Sequence, residues 1–483
     1  MLEVKMNKKS LRKKYIQLRE NIPAEKREED SKLIFEQLRN EQIYQDSQVI
    51  FVFVSFENEI NTHNFILRAL EDGKTICAPL VVSSSELVAY QITNFSELEK
   101  DKFGILSPNP NKAKKILPEE IDLAIVPLLA FNKDGYRLGY GKGYYDQYLP
   151  KLNSNCKKIG VAFSTQFAES LPVEIYDYPL NKILTETGFF PLTKRVETHA
   201  HSAEFSFDCN RKFDELILEA NQKNYAYLTL TDHYDKDVME GQVVPPKTQD
   251  YTVVRKNEWA FSVPEYIDFC VKKKKELKEN PNSTQLLTGI ELGYQAYLID
   301  FYQTIIEQFP FDCVIGSIHT MNMYDFAVIG EPLYGQGKQK AYASYLKTLI
   351  EMTQSKLDFD ILAHFDYVTR YAPYADPYFY YQDFPELFDQ LFREIINRNI
   401  CLEVNTRTRY GSILAGDQDW GIADLNIYKR YYELGGRMIC FATDAHQPGN
   451  LQMLISDSMQ KMREIGFTKG TYFVNRKPQF YDL

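Results

Sequence analysis

Long apolar runs are missing from this chain of 483 residues. None approaches the roughly 18 consecutive apolar residues that a membrane-spanning helix needs, so no membrane span or membrane partner is expected. A basic excess is missing too. The net charge of −10 argues against a general nucleic-acid binder, whose binding face is normally basic, but leaves room for a local anion site. The seven cysteines (Cys77, Cys156, Cys209, Cys270, Cys313, Cys401, Cys440) include no C-x-x-C pair. An odd, unpatterned set in a long chain implies reduced thiols and a cytoplasmic protein. The N-terminus is basic at Lys8, Lys9, Arg12, Lys13 and Lys14, but no apolar stretch follows, so a signal peptide is not expected there.

Histidine is scarce as well, yet six of the seven fall after residue 196. His199 and His201 lie two apart in Glu197-Thr-His-Ala-His-Ser. On an extended segment side chains alternate, so both point the same way. His233 ends Tyr227-Leu-Thr-Leu-Thr-Asp-His, and His319 ends Cys313-Val-Ile-Gly-Ser-Ile-His. His364 ends Ile361-Leu-Ala-His; His446 ends Ile439-Cys-Phe-Ala-Thr-Asp-Ala-His, with Asp444 two residues before it. Glu291 holds the same place after Leu286-Leu-Thr-Gly-Ile. Each apolar run reads as a buried strand with a metal-ligating side chain at its C-terminal end. Ligands at the carboxyl ends of successive parallel strands converge on one face of a barrel, where imidazoles and carboxylates hold divalent metals. One such histidine reads equally well as an ordinary core residue; six at equivalent places do not.

The length predicts two domains, and a composition of 44% hydrophobic and 25% charged residues is ordinary for globular ones. Residues 7–40 have helical spacing. Strands are expected at Gln48-Val-Ile-Phe-Val-Phe-Val, Lys74-Thr-Ile-Cys-Ala-Pro-Leu, Leu87-Val-Ala-Tyr-Gln-Ile, Asp122-Leu-Ala-Ile-Val-Pro and Lys158-Ile-Gly-Val-Ala-Phe, with a helix through Phe65-Ile-Leu-Arg-Ala-Leu. This alternation predicts an open α/β sheet with its ligand beyond the carboxyl ends of the strands. The loop Asp134-Gly-Tyr-Arg-Leu-Gly-Tyr-Gly-Lys-Gly-Tyr-Tyr-Asp146 follows one of these strands and leads into a helix. Its glycines let backbone N–H groups approach phosphate oxygens, Arg137 and Lys142 add cationic donors, and Asp146 is a candidate Mg²⁺ ligand. The alternative reading of the loop is a flexible turn before a helix.

These pieces resemble the 5-formyltetrahydrofolate cyclo-ligase (methenyltetrahydrofolate synthetase) family over residues 7–187. The matching stretches are Lys8-Lys-Ser-Leu-Arg12, Asn58-Glu-Ile-Asn-Thr, Val126-Pro-Leu-Leu-Ala-Phe, Gly135 to Asp146, and Leu171-Pro with Tyr176-Asp177. The resemblance implies conversion of 5-formyltetrahydrofolate and ATP to 5,10-methenyltetrahydrofolate, ADP and phosphate. It also implies that Lys8 and Arg12 touch ATP and that Arg137, Leu138, Gly139, Tyr140, Gly141, Lys142, Gly143, Tyr144 and Tyr145 surround its phosphates. Asp146 and Asp177 would hold Mg²⁺ and Glu59 would contact the folate. Family members often carry His-Asp where this chain has Tyr176-Asp177.

Gly188-Phe-Phe-Pro-Leu-Thr-Lys-Arg-Val lacks the composition of a flexible tether, and domains are expected over 1–190 and 195–483. After 196, apolar runs alternate with helical stretches at Phe213–Asn221, Pro264–Lys278, Ile299–Phe309, Lys340–Glu351, Pro385–Arg398, Ile427–Leu434 and Gln452–Ile465. About seven strand–helix units predict a (β/α) barrel. Tyr371-Ala-Pro-Tyr-Ala-Asp-Pro-Tyr-Phe-Tyr-Tyr reads as a packed loop, or else as cover for the site's mouth.

This half resembles the PHP superfamily, and within it the histidinol-phosphatases. The motifs are Thr198-His-Ala-His, Thr231-Asp-His, Gly289-Ile-Glu-Leu-Gly-Tyr, Ile315-Gly-Ser-Ile-His, Ala363-His-Phe-Asp-Tyr, Arg370-Tyr-Ala-Pro-Tyr, Leu402-Glu-Val-Asn-Thr, Arg409-Tyr-Gly, Ala442-Thr-Asp-Ala-His and Asn475-Arg-Lys-Pro. The resemblance implies a distorted (β/α)7 barrel holding two or three divalent metals such as Zn²⁺, Mn²⁺ or Fe²⁺. The ligands it implies are His199, His201, His233, Glu291, His319, His364, Asp444 and His446, with Glu291 bridging. Asp208 is left out of this set because its spacing from the first motif is one residue long. Arg370 and Arg409 are expected to contact phosphate. The chain is thus expected to be a bifunctional enzyme acting on a reduced folate and on L-histidinol phosphate. The competing reading has the barrel hydrolysing another phosphoester, a nucleotide or nucleic-acid end, beside a regulatory module that binds folate or nucleotide. The acidic charge disfavours a polynucleotide, and the sequence leaves the oligomeric state open.

Overall fold

The computed structural model describes residues 7–83, 86–100, 104–153, 155–247, 254–279 and 283–483. They form two compact units that divide between Thr193 and Lys194, with Asn221–Lys223 grouped with the first. No helix among the described residues is long and apolar enough to cross a membrane.

The first unit is built on one sheet. Its strands are β1 (Val49–Val52), β2 (Thr75–Val81), β3 (Leu87–Ile92), β4 (Lys115–Ile116), β5 (Leu123–Val126), β6 (Lys157–Val161), β7 (Lys182–Thr185) and β8 (Gly188–Phe189). Their order across the sheet is β8-β7-β6-β5-β1-β2-β3-β4. The inner five pair in parallel, and β8, β3 and β4 add antiparallel edges. Val-Ile-Phe-Val in β1 and Leu-Ala-Ile-Val in β5 are apolar throughout because both faces of a parallel sheet are covered. The order reverses direction between β1 and β5, which opens a ligand crevice beyond their carboxyl ends. Glu59 follows β1, and the glycine-rich loop follows β5.

Helices α1 (Lys8–Glu20), α2 (Ala24–Asn40) and α3 (His63–Glu71) pack on this sheet unit. The side chain of Asn7 caps α1 by accepting from the Ser10 N–H at 2.9 Å. Leu11 and Tyr15 of α1 bury against Leu129, Leu138 and Leu171, so the other faces of α1 carry its basic residues. Ala130–Phe131 pairs with Arg137–Leu138 in a hairpin, and the chain then enters the short helix α4 (Tyr144–Tyr148).

In the second unit the strands are β9 (Arg195–Ala200), β10 (Tyr225–Leu230), β11 (His233–Met239), β12 (Gln285–Gly293), β13 (Cys313–Ser317), β14 (Ile361–Leu362), β15 (Cys401–Asn405) and β16 (Ile439–Ala442). Seven of them pair in parallel as β9-β10-β12-β13-β14-β15-β16. The first and last then meet. Ala200 and Ala445 form a parallel bridge, the Asp444 N–H donates to the His199 carbonyl at 3.1 Å, and Thr198 donates to the Phe441 carbonyl. Buried Glu197 fastens this seam by accepting from the Thr443 N–H at 3.0 Å and its hydroxyl at 2.6 Å. The result is the expected seven-stranded barrel.

Helices α5 (Phe213–Gln222), α6 (Val263–Lys278), α7 (Ile299–Gln308), α8 (Lys338–Gln354), α9 (Pro385–Asn397), α10 (Arg407–Ala415), α11 (Leu425–Glu433) and α12 (Ile455–Ile465) surround it. Of these, α10 has no counterpart among the helices read from the sequence. At the base of the barrel Cys313, Ile315, Ile361, Ala363, Cys401, Cys440 and Phe473 form one packed layer. The seven cysteines are all free thiols and buried. The tyrosine-rich segment after Arg370 is packed by Tyr342, which donates to the Pro377 carbonyl, and by Tyr374, which donates to the Tyr334 carbonyl. It is a packed loop.

Candidate functional site

Every barrel histidine arrives at the same end. His199 is the last residue but one of β9, His201 follows the strand, and His233 opens β11 opposite Glu291 of β12. His319, His364, Asp444 and His446 each lie just past the end of β13, β14 or β16. Glu291 sits at the centre. Its Oε2 lies 2.7 Å from His233 Nδ1 and 3.2 Å from His199 Nε2, and its Oε1 lies 2.9 Å from His364 Nε2 and 3.1 Å from His319 Nε2. Asp444 Oδ1 is 3.2 Å from His201 Nε2, and His233 Nε2 is 3.1 Å from His446 Nε2. All eight expected ligands are therefore brought together.

The rings are oriented from behind. His199 Nδ1 donates to Glu403 at 2.9 Å, and His319 Nδ1 donates to Asp235 at 2.9 Å. His201 Nδ1 donates to Ser206, whose hydroxyl donates on to Asp232 at 2.7 Å. The Nδ1 of His446 donates to the Asp444 carbonyl at 2.9 Å. Each bond fixes a tautomer that leaves Nε2 free to act as a ligand. The sequence reading assigned no role to Glu403, Asp235 or Asp232, although all three lie in or beside the quoted motifs.

The donor set fits divalent cations. Nε2 of His199 and His201, Nδ1 of His233 and Oε2 of Glu291 are buried without a hydrogen bond. Leaving such atoms unsatisfied costs about 1–3 kcal/mol each, and a bound cation would satisfy them. Four groups of three donors lie within one cation's reach: His201, His233 and His446; His199, His201 and Asp444; His199, Glu291 and His364; and His233, Asp235 and His319. Burial alone would raise the Glu291 carboxyl, but His199, His233 and His319 hold it well below its ordinary value. Burial lowers His199 and His319, yet the carboxylates around them outweigh it and hold both well above the usual range. Burial and neighbouring rings push His201 well down.

Two expectations change here. Asp208, left out for its spacing, belongs to the cluster: its Oδ2 is 3.1 Å from His446 Nε2 and its Oδ1 is 3.5 Å from His233 Nε2. Turns between His201 and Asp208 bring it back to the cluster. Arg409, expected at the phosphate, is held elsewhere by a fork onto Asp419 at 2.8 and 2.9 Å and a further pair with Asp457. Arg407 instead reaches the cluster, with Nη1 2.9 Å from both Asp444 Oδ1 and His446 Nε2. Both arginines lie on α10, where residues two apart face different sides, so only one can turn to the cluster. Arg370 does reach it, 3.4 Å from Asp444 Oδ2. Beside these groups opens a cleft lined in part by His319, His364, Tyr367, Arg407 and Asp444.

In the first unit Arg12 donates from Nε to the Gly139 carbonyl at 2.9 Å, and its guanidinium lies against Gly141. Gly141 has φ +101° and Gly143, which opens α4, has φ +70°; both are left-handed conformations that favour glycine. Lys142 and Tyr140 are exposed at the tip. Tyr140 accepts from Arg19 at 2.7 Å and donates to Glu59 at 3.0 Å, tying the loop to the residue expected to contact folate. Burial raises the Glu59 carboxyl; at Tyr140, whose ring is exposed, desolvation of the hydroxyl and the Glu59 charge beside it push it up to about 12.

Other expected roles are redirected. Arg137 is nearly buried and holds Asp146 at 3.0 Å and the Tyr178 carbonyl at 2.9 Å, so it orients Asp146 and does not face the crevice as a free cation. Leu138 is a core residue, leaving only its backbone for a ligand. Tyr144 and Tyr145 pack on the core around Phe51. Lys8 and Asp177 pair with each other at 2.7 Å, so one oxygen of Asp177 is already engaged.

The two units thus define two classes: an open α/β domain with a glycine-rich loop at its switch point, and a parallel barrel with a buried cluster of imidazoles and carboxylates at one end. The chain belongs to the 5-formyltetrahydrofolate cyclo-ligase family, whose model matches residues 4–186, and the PHP domain model matches residues 197–407. The 5-formyltetrahydrofolate cyclo-ligase of Escherichia coli is 32% identical over 143 residues, which is 29% of this chain and 78% of that relative. A protein of Clostridium acetobutylicum named "Probable histidinol-phosphatase" is 28% identical over 281 residues, 58% of this chain and 97% of the relative. The crystal structure of Lactococcus lactis histidinol phosphate phosphatase with zinc, L-histidinol and phosphate matches with a TM-score of 0.50 at 22% identity. It covers 59% of this chain and 99% of that one and speaks for the fold of the second unit.

Proposed function

We propose that the chain is a bifunctional enzyme: a metal-dependent phosphatase of L-histidinol phosphate in the barrel and an ATP-dependent 5-formyltetrahydrofolate cyclo-ligase in the sheet unit. The observation that carries the first activity is the convergence of six imidazoles on Glu291 and Asp444, with their ligand atoms buried and within reach of common cations. Two or three divalent ions held by His199, His201, His233, Glu291, His319, His364, Asp444 and His446, with Asp208 at the edge, would supply charge neutralisation and acidified water. Glu291 lies against histidines of several of these groups and would be the ligand shared between ions. The guanidiniums of Arg370 and Arg407 flank Asp444 and are placed to donate to the phosphate's non-bridging oxygens. Glu403, Asp235 and the Ser206–Asp232 pair keep the rings in register. Wild-type protein loaded with Zn²⁺ or Mn²⁺ should release phosphate from L-histidinol phosphate faster than from nucleoside monophosphates; the reverse order would refute the assignment.

In the sheet unit Arg12 and the backbone of residues 139–143 form the cradle for ATP phosphates, with Lys142 as the exposed cation. Asp146, oriented by Arg137, and Asp177 would each offer an oxygen to Mg²⁺, which commonly binds one or two carboxylates plus phosphate and water. Transfer of the γ-phosphoryl group to the formyl oxygen makes that oxygen a leaving group. N10 then attacks the same carbon, its proton is released to solvent and phosphate departs, closing the methenyl ring. Glu59 is placed across the crevice to hold the folate. The test is methenyl-folate absorbance on mixing protein, Mg²⁺-ATP and 5-formyltetrahydrofolate; folded protein that binds ATP but gives no absorbance would leave only a binding module.

A further inference from the structure

The barrel cavity is also lined by residues outside the expected metal ligands. Phe207 and Trp259 stack face to face there, 3.9 Å between centroids and 10° apart, and Phe207 is 48% exposed at the mouth. Phe207 precedes Asp208, while Trp259 comes from a short strand that pairs with β11 opposite Asp235. Asp325 lines the same cavity. It is 5% exposed, and among the described residues only the Ala327 N–H donates to its carboxylate, at 2.7 Å to Oδ1. Its other oxygen therefore has no donor from the described chain. Every other carboxylate lining the cavity is engaged: Asp208 and Asp444 with histidines and arginines, and Asp235 with His319.

A buried carboxylate with one open oxygen next to a flat aromatic face is built for a cation attached to a planar ring. The phosphate end of a substrate is drawn to Arg370 and Arg407, which flank Asp444. We infer that Asp325 is the specificity-determining residue of the phosphatase, pairing with the ammonium of the amino-alcohol while the Phe207–Trp259 face receives its ring. This inference rests on the proposed phosphatase reading. It explains why a centre able to hydrolyse many phosphomonoesters would prefer a cationic amino-alcohol: an aryl or sugar phosphate leaves Asp325 buried and unpaired, which costs affinity for the wrong substrate.

The test is steady-state kinetics of the full, metal-loaded chain on L-histidinol phosphate and on 4-nitrophenyl phosphate, which has no amine, for wild type and Asp325→Asn. The asparagine keeps the oxygen that caps the turn at Ala327. A second readout is calorimetric binding of L-histidinol and of its analogue lacking the amine. For Asp325→Asn the ratio of kcat/KM for histidinol phosphate to that for 4-nitrophenyl phosphate should fall roughly 10- to 100-fold, the range of a charged hydrogen bond, mainly through KM. L-Histidinol affinity should fall by a similar factor, and the amine-free analogue should lose less. An Asp325→Ser variant, which also keeps a capping oxygen, should behave alike. Parallel changes on both substrates, or none, overturn the inference and leave the phosphatase reading standing. Wild type that turns over 4-nitrophenyl phosphate but not histidinol phosphate removes the reading and the inference together.

Discussion

Replacing Arg407 and Arg409 separately by alanine distinguishes a side chain that serves the reaction from one that serves the fold. Arg407 Nη1 lies 2.9 Å from both Asp444 and His446, at the lip of the cavity. A buried guanidinium aimed at developing charge is worth about 3 kcal/mol, or roughly 100-fold in kcat/KM. Arg409 instead spans Asp419 and Asp457, whose side chains are 42% and 27% exposed. Partly exposed pairs of this kind contribute about 1 kcal/mol, a loss of roughly 2–4 °C in Tm for a domain of this size. The assay is phosphate release from histidinol phosphate, with metal content measured on the same samples so that lost metal is not mistaken for lost phosphate contact. Arg407→Ala should fall about 100-fold with metal retained, and Arg409→Ala should stay within about threefold while melting earlier. Equal losses, or the reverse order, would refute the placement of Arg407 at the phosphate.

Other outcomes follow from the same geometry. Glu403→Gln keeps an oxygen near His199 Nδ1 but removes the charge, and should weaken metal retention roughly 10- to 100-fold, read by metal analysis after dialysis; unchanged retention would dismiss its orienting role. His199 and His319 are held well above the ordinary histidine value, so in the metal-free chain both keep protons at neutral pH. Metal must displace those protons, so affinity should rise with pH from about 6.5 upward, and proton release should appear as buffer-dependent heats in calorimetry. Heats that do not vary with the buffer would contradict this. Gly141→Ala forces a side chain into φ +101° beside Arg12, a strain of about 1–3 kcal/mol, and should raise the KM for ATP in the cyclo-ligase assay while sparing phosphatase activity.

Both architectures were legible in the sequence for one physical reason. Parallel strands buried on both faces leave uninterrupted apolar runs, and ligands at their ends stand out against that background, as at Ile361-Leu-Ala-His and Cys313 to His319. What the sequence concealed is directional. Arg407 and Arg409 are equivalent as residue types and differ only in which side of α10 they occupy; without that helix in the reading, the choice between them had no basis. Asp208 was excluded by counting residues, but a loop can absorb one residue without moving its far end. The carboxylates behind the rings, Glu403 of β15 and Asp235 of β11, are a single residue type in ordinary strands, and their role exists only through partners 204 and 84 positions away. In the sheet unit, Arg137 looked like a phosphate donor because it sits in the loop; its burial against Asp146 turns it into a support.

The account depends most on cations gathered around Glu291. Metal analysis of the purified, dialysed chain tests this directly, in wild type and in Glu291→Gln. The geometry predicts at least two divalent ions per wild-type chain, and at most one in the variant with its fold intact by circular dichroism. A folded wild-type chain that retains less than one ion after saturation with Zn²⁺ or Mn²⁺, or a variant that keeps the full complement, would contradict it.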